Sequence, residues 1–347
     1  MRYVGIDVGK QRCRAAVMDE KGFLVEEFSF RNNSGGISGL VSRLSMDDSV
    51  VMESTGSVWM NLYECLEEAH VSVVLANPWK TKAIASARIK SDKIDARILA
   101  HLLRGDLVAE SYVPPRDLRK LRGLVRHRMS VVKIRTMVKN RVNALIDRYG
   151  YKCEFSDLFG KKGVEWLKTL ELDSLDRLML SNYLEHIECL NRQIKRVDLE
   201  IRDEASRDED VRLLLSMTGI GVYTALLIRS EIGDIRRFPS YKKLISWAGL
   251  APSLHQSGNV KYHGGITKQG SRMLRWALVE CARIAVRFDG RMRVFYERVK
   301  HRRGDQKAIV AVAAKMLKII WFMLSRREPY ESRNHGLYER KLNSLVH

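Results

Sequence analysis

RYVGIDV, residues 2–8, is an apolar-rich stretch that predicts a β-strand carrying a carboxylate, Asp7, at its end. Residues 12–18 and 23–30 predict two further strands that can pair with it in an antiparallel meander, because turn residues separate them. Apolar runs at 49–53 and 71–76 predict two more strands. Helical periodicity predicts three helices, at about 35–45, 57–69 and 91–103. The predicted order is β-β-β-α-β-α-β-α.

In this order the last two strands join the meander through crossovers, which makes them parallel to the first strand. The pattern is similar to that of the ribonuclease H-like fold, so the predicted fold class of residues 1–112 is α/β. Pro114-Pro115 marks the end of this domain. The rest is predicted to form basic coiled-coil or linker helices over 113–208, a mostly helical domain over 209–327, and a mobile tail over 328–347.

The charge of the chain is strongly positive and unevenly distributed. Lys and Arg number 61 against 41 Asp and Glu, a formal net charge of +20, which favours a polyanion such as nucleic acid over a merely solubilising surface. Residues 1–110 hold 14 basic and 15 acidic residues, whereas the remainder holds 47 and 26. We therefore expect chemistry in the first domain and nucleic-acid binding in the rest.

The cysteines predict the compartment. All five, at positions 13, 65, 153, 189 and 281, lie outside any C-x-x-C pair, so neither a zinc site nor a disulfide framework is indicated. Charged residues interrupt the N-terminus from Arg2 onward, and the longest apolar run near the C-terminus is too short to span a bilayer. These features predict a protein of the reducing cytoplasm, associated with the nucleoid and without a membrane partner.

Residues 116–148 predict a long basic helix, with eleven Lys or Arg against two acids. Apolar residues repeat there every seven positions, at Leu124, Val131, Val138 and Leu145. A second heptad seam runs through 174–206, on Tyr183, Ile187, Leu190, Ile194, Val197 and Ile201. Two such helices favour an antiparallel coiled-coil arm or a dimerisation element, and the alternative is two helices packed inside one globular domain. The basic side chains predicted to contact nucleic acid are Arg126, Arg128, Lys133 and Lys139.

Gly219-Ile220-Gly221 separates two apolar helical segments, which is the pattern of a helix-hairpin-helix motif. Free backbone N–H groups at the start of its second helix can hold a phosphate, so Gly219 and Gly221 are predicted nucleic-acid contacts. The alternative is an ordinary tight turn between helices. Residues 251–271 predict a glycine-rich loop or short hairpin, with helices after it at about 272–287 and 305–326.

Four carboxylates are the candidate metal ligands. Asp7 and Glu53 end apolar strands that are neighbours in the predicted sheet, where a carboxylate is costly unless it binds something. Asp92 and Asp95 are three positions apart in a helical segment and therefore share a face. Converging carboxylates repel one another unless a cation lies between them, and oxygen ligands of this kind select Mg²⁺ or Mn²⁺. Two such ions about 4 Å apart can stabilise both oxygens of a phosphoryl displacement.

Each carboxylate also has an ordinary structural explanation. Asp7 could cap the turn before Gly9, Glu53 could pair with a lysine, and Asp92 could be an acid at a helix N-terminus. Their combination in this topology favours the metal site.

Ser257 lies in Gln256-Ser257-Gly258, within the most basic part of the chain. A serine hydroxyl can attack a phosphodiester and hold a DNA end covalently, but it needs assistance because a free hydroxyl is a weak nucleophile. His255 is a candidate base. The cations that could neutralise the phosphate are Lys261, Lys268, Arg272 and Arg275. Most Ser-Gly pairs are turns, so the residues alone leave this role open.

Five segments, in order, resemble the DEDD-type insertion-sequence transposases, also called bridge-RNA-guided recombinases, and the similar pilin-gene invertases. The segments are VGIDVGK at 4–10, MESTG at 52–56, KSDKIDARILA at 90–100, MTGIGVYTA at 217–225 and GLAPSLHQSGNVKYHGGITKQGSRMLRWAL at 249–278. The resemblance covers the chain from Arg2 to about Leu324, and the set is far more specific than any one segment.

The resemblance implies a RuvC-like N-terminal domain, similar to Holliday-junction resolvases. Its acidic tetrad falls on Asp7, Glu53, Asp92 and Asp95, and the catalytic serine of the C-terminal transposase domain falls on Ser257. The resemblance further implies a phosphoserine intermediate, double-stranded donor and target DNA, and a structured non-coding RNA that pairs with both. It also implies a dimer or tetramer in which the serine and the metal site come from different protomers. Ser253 is a second candidate for the nucleophile.

Two other functions compete with the recombinase. A metal-only, structure-specific nuclease such as a junction resolvase would use the four acids and leave Ser257 structural. A non-catalytic nucleic-acid scaffold would use only the basic helices and the hairpin motif. A covalent protein–DNA adduct distinguishes the recombinase from the metal-only nuclease. Mg²⁺-dependent strand cleavage distinguishes it from the non-catalytic scaffold.

Overall fold

The computed structural model describes residues 1–53, 56–84, 92–257 and 260–346. Side-chain positions are described for these residues except 82–84, 92–94, 254–257, 260–263 and 346. The chain forms two compact units, Met1–Arg116 and Asp117–His347, which divide close to the two prolines at 114 and 115.

A five-stranded sheet forms the centre of the first unit. Its strands are β1 Tyr3–Val8, β2 Arg12–Met18, β3 Leu24–Arg31, β4 Ser49–Glu53 and β5 Ser72–Leu75. Their spatial order is β3-β2-β1-β4-β5, in which the first three pair antiparallel, β4 runs parallel to β1 and β5 runs parallel to β4. The predicted meander followed by parallel strands is confirmed.

Helices lie on both faces of this sheet. They are α1 Ser34–Val41, α2 Met60–Glu68, α3 Pro78–Ile84 and α4 Asp92–Arg104. Successive side chains of β1 point to opposite faces, and those that pack with α1 and α2 are Val4, Ile6 and Val8. Gly5 lies on the other face, beneath α4, where a Cβ atom would be 2.1 Å from the Ala96 carbonyl oxygen. A glycine at this position therefore lets α4 approach the strand that carries Asp7.

Two helices of 33 and 34 residues, α5 Arg116–Arg148 and α7 Ser174–Arg207, lie antiparallel, and the shorter α6 Lys161–Thr169 lies between them in the chain. Polar pairs join the long helices one heptad apart: Arg128 with Asp198 and Arg135 with Asn191. Buried residues of α7 recur every seven positions, at Leu180, Ile187, Ile194 and Ile201. The two long helices are thus observed as a pair, and their supercoiling stays a prediction.

The rest of the second unit is mostly helical. Its elements are α8 Glu209–Leu215, α9 Val222–Ile232, a 3-10 turn Ile235–Arg237, α10 Tyr241–Trp247, a hairpin of β6 Pro252–Ser257 and β7 Val260–Ile266, α11 Arg272–Phe288, α12 Gly290–Arg303, α13 Asp305–Arg326 and α14 His335–Val346. Among the described helices α13 alone has the length and apolar composition of a membrane span. It is the core helix of this unit, because α10, α11 and α12 pack on it and Val312, Met316 and Ile320 are fully buried.

The C-terminal segment, predicted to be a mobile tail over 328–347, includes one further helix, and its mobility stays a prediction. It contains α14, which packs on α7 and α8. The Lys341 ammonium donates to the carbonyl oxygens of Leu215 and Met217, at 2.9 and 3.2 Å, where α8 ends and backbone acceptors lack helical partners. A helix of three turns carries a weak amphipathic signal, and its anchoring contacts lie more than a hundred residues away, so the sequence pattern did not reveal it. Helix α12 was likewise not predicted.

Candidate functional site

Asp7 and Glu53 lie side by side at the ends of two parallel strands. They are partners in the register of β1 with β4, and both side chains are partly buried. Asp7 lies two residues beyond Gly5, which is beneath the backbone of α4. Glu53 lies two residues beyond Val51, which packs with Leu99 of α4. Because side chains alternate along a strand, both carboxylates lie on the α4 face of the sheet. The structure thus brings two of the four predicted acids together.

The other two acids lie on α4 itself. Asp92 is its first residue, and its side chain is outside the described part of the structure; Asp95 lies one turn later and is partly buried. Among the described side chains, no three His, Cys, Asp or Glu residues are close enough to hold a metal ion, so Asp95 does not complete a cluster with Asp7 and Glu53. Adjacent carboxylates are nevertheless the hard oxygen donors that Mg²⁺ or Mn²⁺ prefers.

A partly buried ion pair fixes α4 to the sheet next to these acids. Arg97 donates through Nε and Nη2 to the two carboxylate oxygens of Glu27 on β3, at 3.2 and 2.9 Å, and the Glu27 side chain is only 8% exposed. Arg14, the register partner of Asp7 on β2, lies 3.4 Å from the same carboxylate. Since Arg97 follows Asp95 by two residues, this pair sets the position of the acidic turn of α4. Sequence reasoning missed it because its members are 70 residues apart.

Cys13 lies on β2 close to Asp7. Burial raises the pKa of its thiol to about 11, and the negative charge of Asp7 adds to the rise. The thiol therefore stays protonated at neutral pH and is unsuited to act as a ligand or nucleophile beside the carboxylates. All five cysteines are free thiols in the structure.

Ser257 is the last residue of β6, and its register partner on β7 is Val260. It therefore lies beside the turn at the tip of the hairpin, whereas Ser253 lies near the hairpin base. Residues 258 and 259, and the side chains of His255, Ser257 and Lys261, are outside the described part of the structure.

The base of this hairpin is fixed against the neighbouring helices. The Thr267 amide donates to the Ala251 carbonyl oxygen at 3.0 Å. Arg275 donates to the carbonyl oxygens of Ala248 and Gly270, at 3.1 and 3.2 Å, and so ties the end of α10 to the start of α11. Its predicted contact with a phosphate stays a prediction. Burial lowers the pKa of this guanidinium, with the charge of a nearby arginine as a second cause. The tip with Ser257 is thus carried on a rigid base.

Two of the predicted nucleic-acid contacts on α5 are paired inside the second unit. Arg126 donates through Nε and Nη2 to Glu231, at 3.0 and 2.7 Å, and that carboxylate is almost fully buried. Arg128 donates to both oxygens of Asp198 and lies over the Tyr223 ring, 4.2 Å from its centroid. These two cations hold α5 to its neighbours.

The remaining predicted contacts differ in exposure. Lys139 lies over the Phe159 ring at 4.4 Å, and burial lowers the pKa of its ammonium. Lys133, Lys268 and Arg272 are exposed, and within the described ranges of the chain their side chains form no ion pair. These three are free to meet an external phosphate.

In the turn between α8 and α9, close packing against α11 explains why residue 219 is a glycine. Gly219 has a φ of +91°, and a Cβ there would be 2.4 Å from the Cys281 carbonyl oxygen of α11. Gly221 is the N-cap of α9, and its N–H donates to the Thr224 hydroxyl at 2.9 Å. Two helices joined by a short turn are present, whereas the helix-hairpin-helix motif and its contact with a phosphate stay predictions.

Two family profiles match separate parts of the chain. A DEDD transposase profile of the IS110 group matches residues 4–151, and the profile of the IS116/IS110/IS902 transposase family matches residues 211–297. The chain therefore contains transposase domains of the IS110 family over these two ranges. The first match contains the four acids, and the second contains Ser257 and its hairpin.

Relatives of this transposase match it over nearly its whole length. The transposase of insertion sequence element IS1111A from Coxiella burnetii is 27% identical over 95% of this chain and 91% of its own. The pilin gene-inverting protein of Moraxella bovis is 27% identical over 96% of this chain and 98% of its own. A probable family 20 transposase of Pseudomonas aeruginosa is 27% identical over 81% of this chain. The protein is therefore a DNA transposase, an enzyme of DNA recombination.

Proposed function

We propose that this transposase cleaves and rejoins DNA with a divalent-cation site on its first unit and Ser257 of its second unit as nucleophile. A structured non-coding RNA selects the donor and target DNA. The observation that carries the proposal is the register pairing of Asp7 with Glu53 on the α4 face of the sheet. Two carboxylates side by side repel each other, and a bound cation removes that cost.

Asp7 and Glu53 are the residues that would hold Mg²⁺ or Mn²⁺, with Asp92 and Asp95 as further oxygen donors on the facing helix. When bound, such a cation stabilises charge on the attacking and leaving oxygens of a phosphoryl displacement. The chain's own contribution is positional. Gly5 sets how closely α4 approaches the acidic strands, and the bidentate pair of Arg97 with a buried glutamate fixes the turn that carries Asp95.

Ser257 supplies the covalent step. Its Oγ gives up the hydroxyl proton and forms a bond to the scissile phosphorus, while the bond from phosphorus to a deoxyribose oxygen breaks. The leaving oxygen takes up one proton, which balances the proton lost by the serine. The DNA end is then held as a phosphoserine ester, and attack by the hydroxyl of another strand restores the serine and rejoins the DNA. The place of Ser257 at the tip of an anchored hairpin supports this role, whereas Ser253 lies further from the tip.

The two halves of this chemistry lie in different units of the chain. A homo-oligomer, either a dimer or a tetramer, would let the serine of one protomer act with the carboxylates of another. The net positive charge after residue 110 supports binding of RNA and duplex DNA by the second unit. The RNA partner itself, and a place beside nucleoid DNA in the cytoplasm, are proposed from the resemblance to bridge-RNA-guided recombinases.

A recombination assay on plasmid-borne donor and target sites, with the RNA encoded beside the gene, tests the proposal. We expect Ser257→Ala to abolish both recombination and the covalent protein–DNA adduct, and Ser253→Ala to retain them. Asp7→Asn should lose cleavage in Mg²⁺ while the protein still binds DNA. Full recombination by either Ser257→Ala or Asp7→Asn would refute the role of that residue.

A metal-only, structure-specific nuclease is the second candidate, because the paired carboxylates of Asp7 and Glu53 alone support metal-dependent cleavage. Under this function Ser257→Ala would still cut branched DNA, and nicked suicide substrates would trap no adduct in the wild type. An adduct on such substrates decides against it. A scaffold without catalysis has no support from the two transposase-domain matches.

A further inference from the structure

A groove on the second unit is lined, among the described residues, by neither Ser257 nor any of the four acids; it shares with the predicted phosphate-neutralising cations only Arg272. It encloses about 800 Å³ between one face of α5 and the first turns of α11. Its α5 wall runs from Arg128 to Ala144. The lining residues are spaced three and four apart, so they are neighbours on one face of the helix. The residues of α5 that pack toward α7, such as Val138 and Val142, lie half a turn away on the opposite face. The groove is therefore built on a face of α5 that its helix partner leaves uncovered.

The charged groups of this groove are all of one sign. Lys133, Arg141 and Arg272 line it, are exposed, and have no ion-pair partner among the side chains that the structure describes. Arg128 also lines it but is neutralised by Asp198. No acidic residue is among the described residues that line the groove. Three unneutralised cations attract a polyanion.

The uncharged lining is apolar and partly aromatic. Trp276 of α11 is 46% exposed and Met137 of α5 is 49% exposed, so both present apolar surface to a ligand in the groove. Thr136 and Asn140 add hydrogen-bonding groups on the same wall. An exposed indole beside cations is the composition on which unpaired bases stack, while their phosphates meet the charges.

An amphipathic protein helix fits this groove less well. Its apolar face would cover three cations and offer them no counter-charge, and burying unpaired charge is strongly unfavourable. Duplex DNA also fits less well, because its base faces are stacked on one another and cannot stack on Trp276. Unpaired nucleotides satisfy the cations and the indole together.

We propose that this groove binds an unpaired stretch of nucleic acid, with a base stacked on Trp276 and phosphates held by Lys133, Arg141 and Arg272. The inference deepens the proposed function, on which it rests for the class of partner, by naming the single-stranded part of that partner and the residues that hold it. The stacking of Arg128 on Tyr223 gives the groove a preformed wall, so little ordering is needed on binding.

Binding of fluorescent oligonucleotides to the full-length protein tests this inference, with unstructured dT and U strands of about 12 nucleotides and a blunt hairpin duplex as probes. Trp276→Ala should weaken binding of the single strands by about fivefold or more, and Trp276→Phe by less, because a phenyl ring still stacks. Phe288→Ala is the matched control, since Phe288 is an aromatic residue of the same helix, 75% exposed, and outside the groove lining. The dT and U arms show whether DNA or RNA is the preferred strand.

Salt dependence gives a second readout that does not require a change at Trp276. Lys133→Ala, on an exposed helix face, should lower the slope of log affinity against log salt by about 0.7 for single strands. Equal single-strand affinity in wild type and folded Trp276→Ala, or an unchanged salt slope in Lys133→Ala, would overturn the inference. So would a Trp276→Ala variant that loses self-association and keeps oligonucleotide affinity, because the groove would then be a protein interface. If Ser257→Ala still formed the covalent adduct while the groove still bound single strands, only the proposed function would be refuted.

Discussion

Replacing Gly5 by alanine should damage this transposase in two measurable ways, because β1 and α4 meet there without room for a side chain. A Cβ on residue 5 would lie 2.1 Å from the Ala96 carbonyl oxygen and 2.5 Å from the Ala100 amide nitrogen. Favourable contacts of carbon atoms are about 3.5 Å long or more. Helix α4 would therefore have to move outward by roughly 1 Å, and its N-terminal turn carries Asp92 and Asp95.

Overpacking of this kind costs about 1–3 kcal/mol. For a unit the size of Met1–Arg116, each kcal/mol corresponds to a shift of about 4 °C or more in melting temperature. The effect on catalysis should be larger, because a displacement of about 1 Å in a catalytic group can cost about 100-fold in rate. We therefore expect a lower melting temperature for the first unit and a loss of strand cleavage beyond what the melting shift explains.

Calorimetry and a strand-cleavage time course measure the two effects, with Gly39→Ala as the matched control. Gly39 is an exposed helical residue of α1, and a Cβ there meets no atom within 4 Å. Alanine at a helix interior position is favoured over glycine by about 0.5–1 kcal/mol, so this variant should be as stable as wild type or more so. If Gly5→Ala melts and cleaves like wild type, the close approach of α4 does not position the site.

Three further perturbations test other contacts. Gly219→Ala should lower the melting temperature of the second unit, because residue 219 has a φ of +91° and its Cβ would be 2.4 Å from a carbonyl oxygen of α11. Gly221→Ala should lower it less, because a Cβ there meets no atom within 4 Å and only the N-cap preference for glycine is lost; equal melting of the two variants would contradict this. Arg97→Lys should slow cleavage without weakening DNA binding, because lysine cannot make the bidentate pair with Glu27, and an unchanged rate would show that α4 is held otherwise. Burial lowers the pKa of Lys341 from 10.5 to about 8, so the unfolded chain binds more protons between these values and stability should rise with pH across that window. Denaturation at several pH values should show a smaller rise in Lys341→Met, and identical pH profiles would argue against the buried ammonium.

The sequence predicts the sheet and the positions of its two acids because local patterns encode them. Each strand is a short apolar run, and Asp7 and Glu53 end runs that crossovers make parallel neighbours, so their placement needs only the strand order. The pair of Arg97 with Glu27 could not be read in this way, because its members are far apart in the chain and each resembles an ordinary surface charge. Helix α14 was missed for the same reason, since distant partners determine its position.

The basic residues of α5 show why charge counted along a sequence overstates the charge available to a ligand. The helix holds eleven Lys or Arg, yet Arg126 and Arg128 are neutralised by buried or half-buried acids of neighbouring helices and serve to hold the second unit together. Lys133 and Arg141 lie on the uncovered face, where the described structure provides no acid to pair with them. Only charges of this second kind release counterions when a phosphate binds. The salt dependence of nucleic-acid binding should therefore follow the face of α5 on which a cation lies, and not the total charge of the helix.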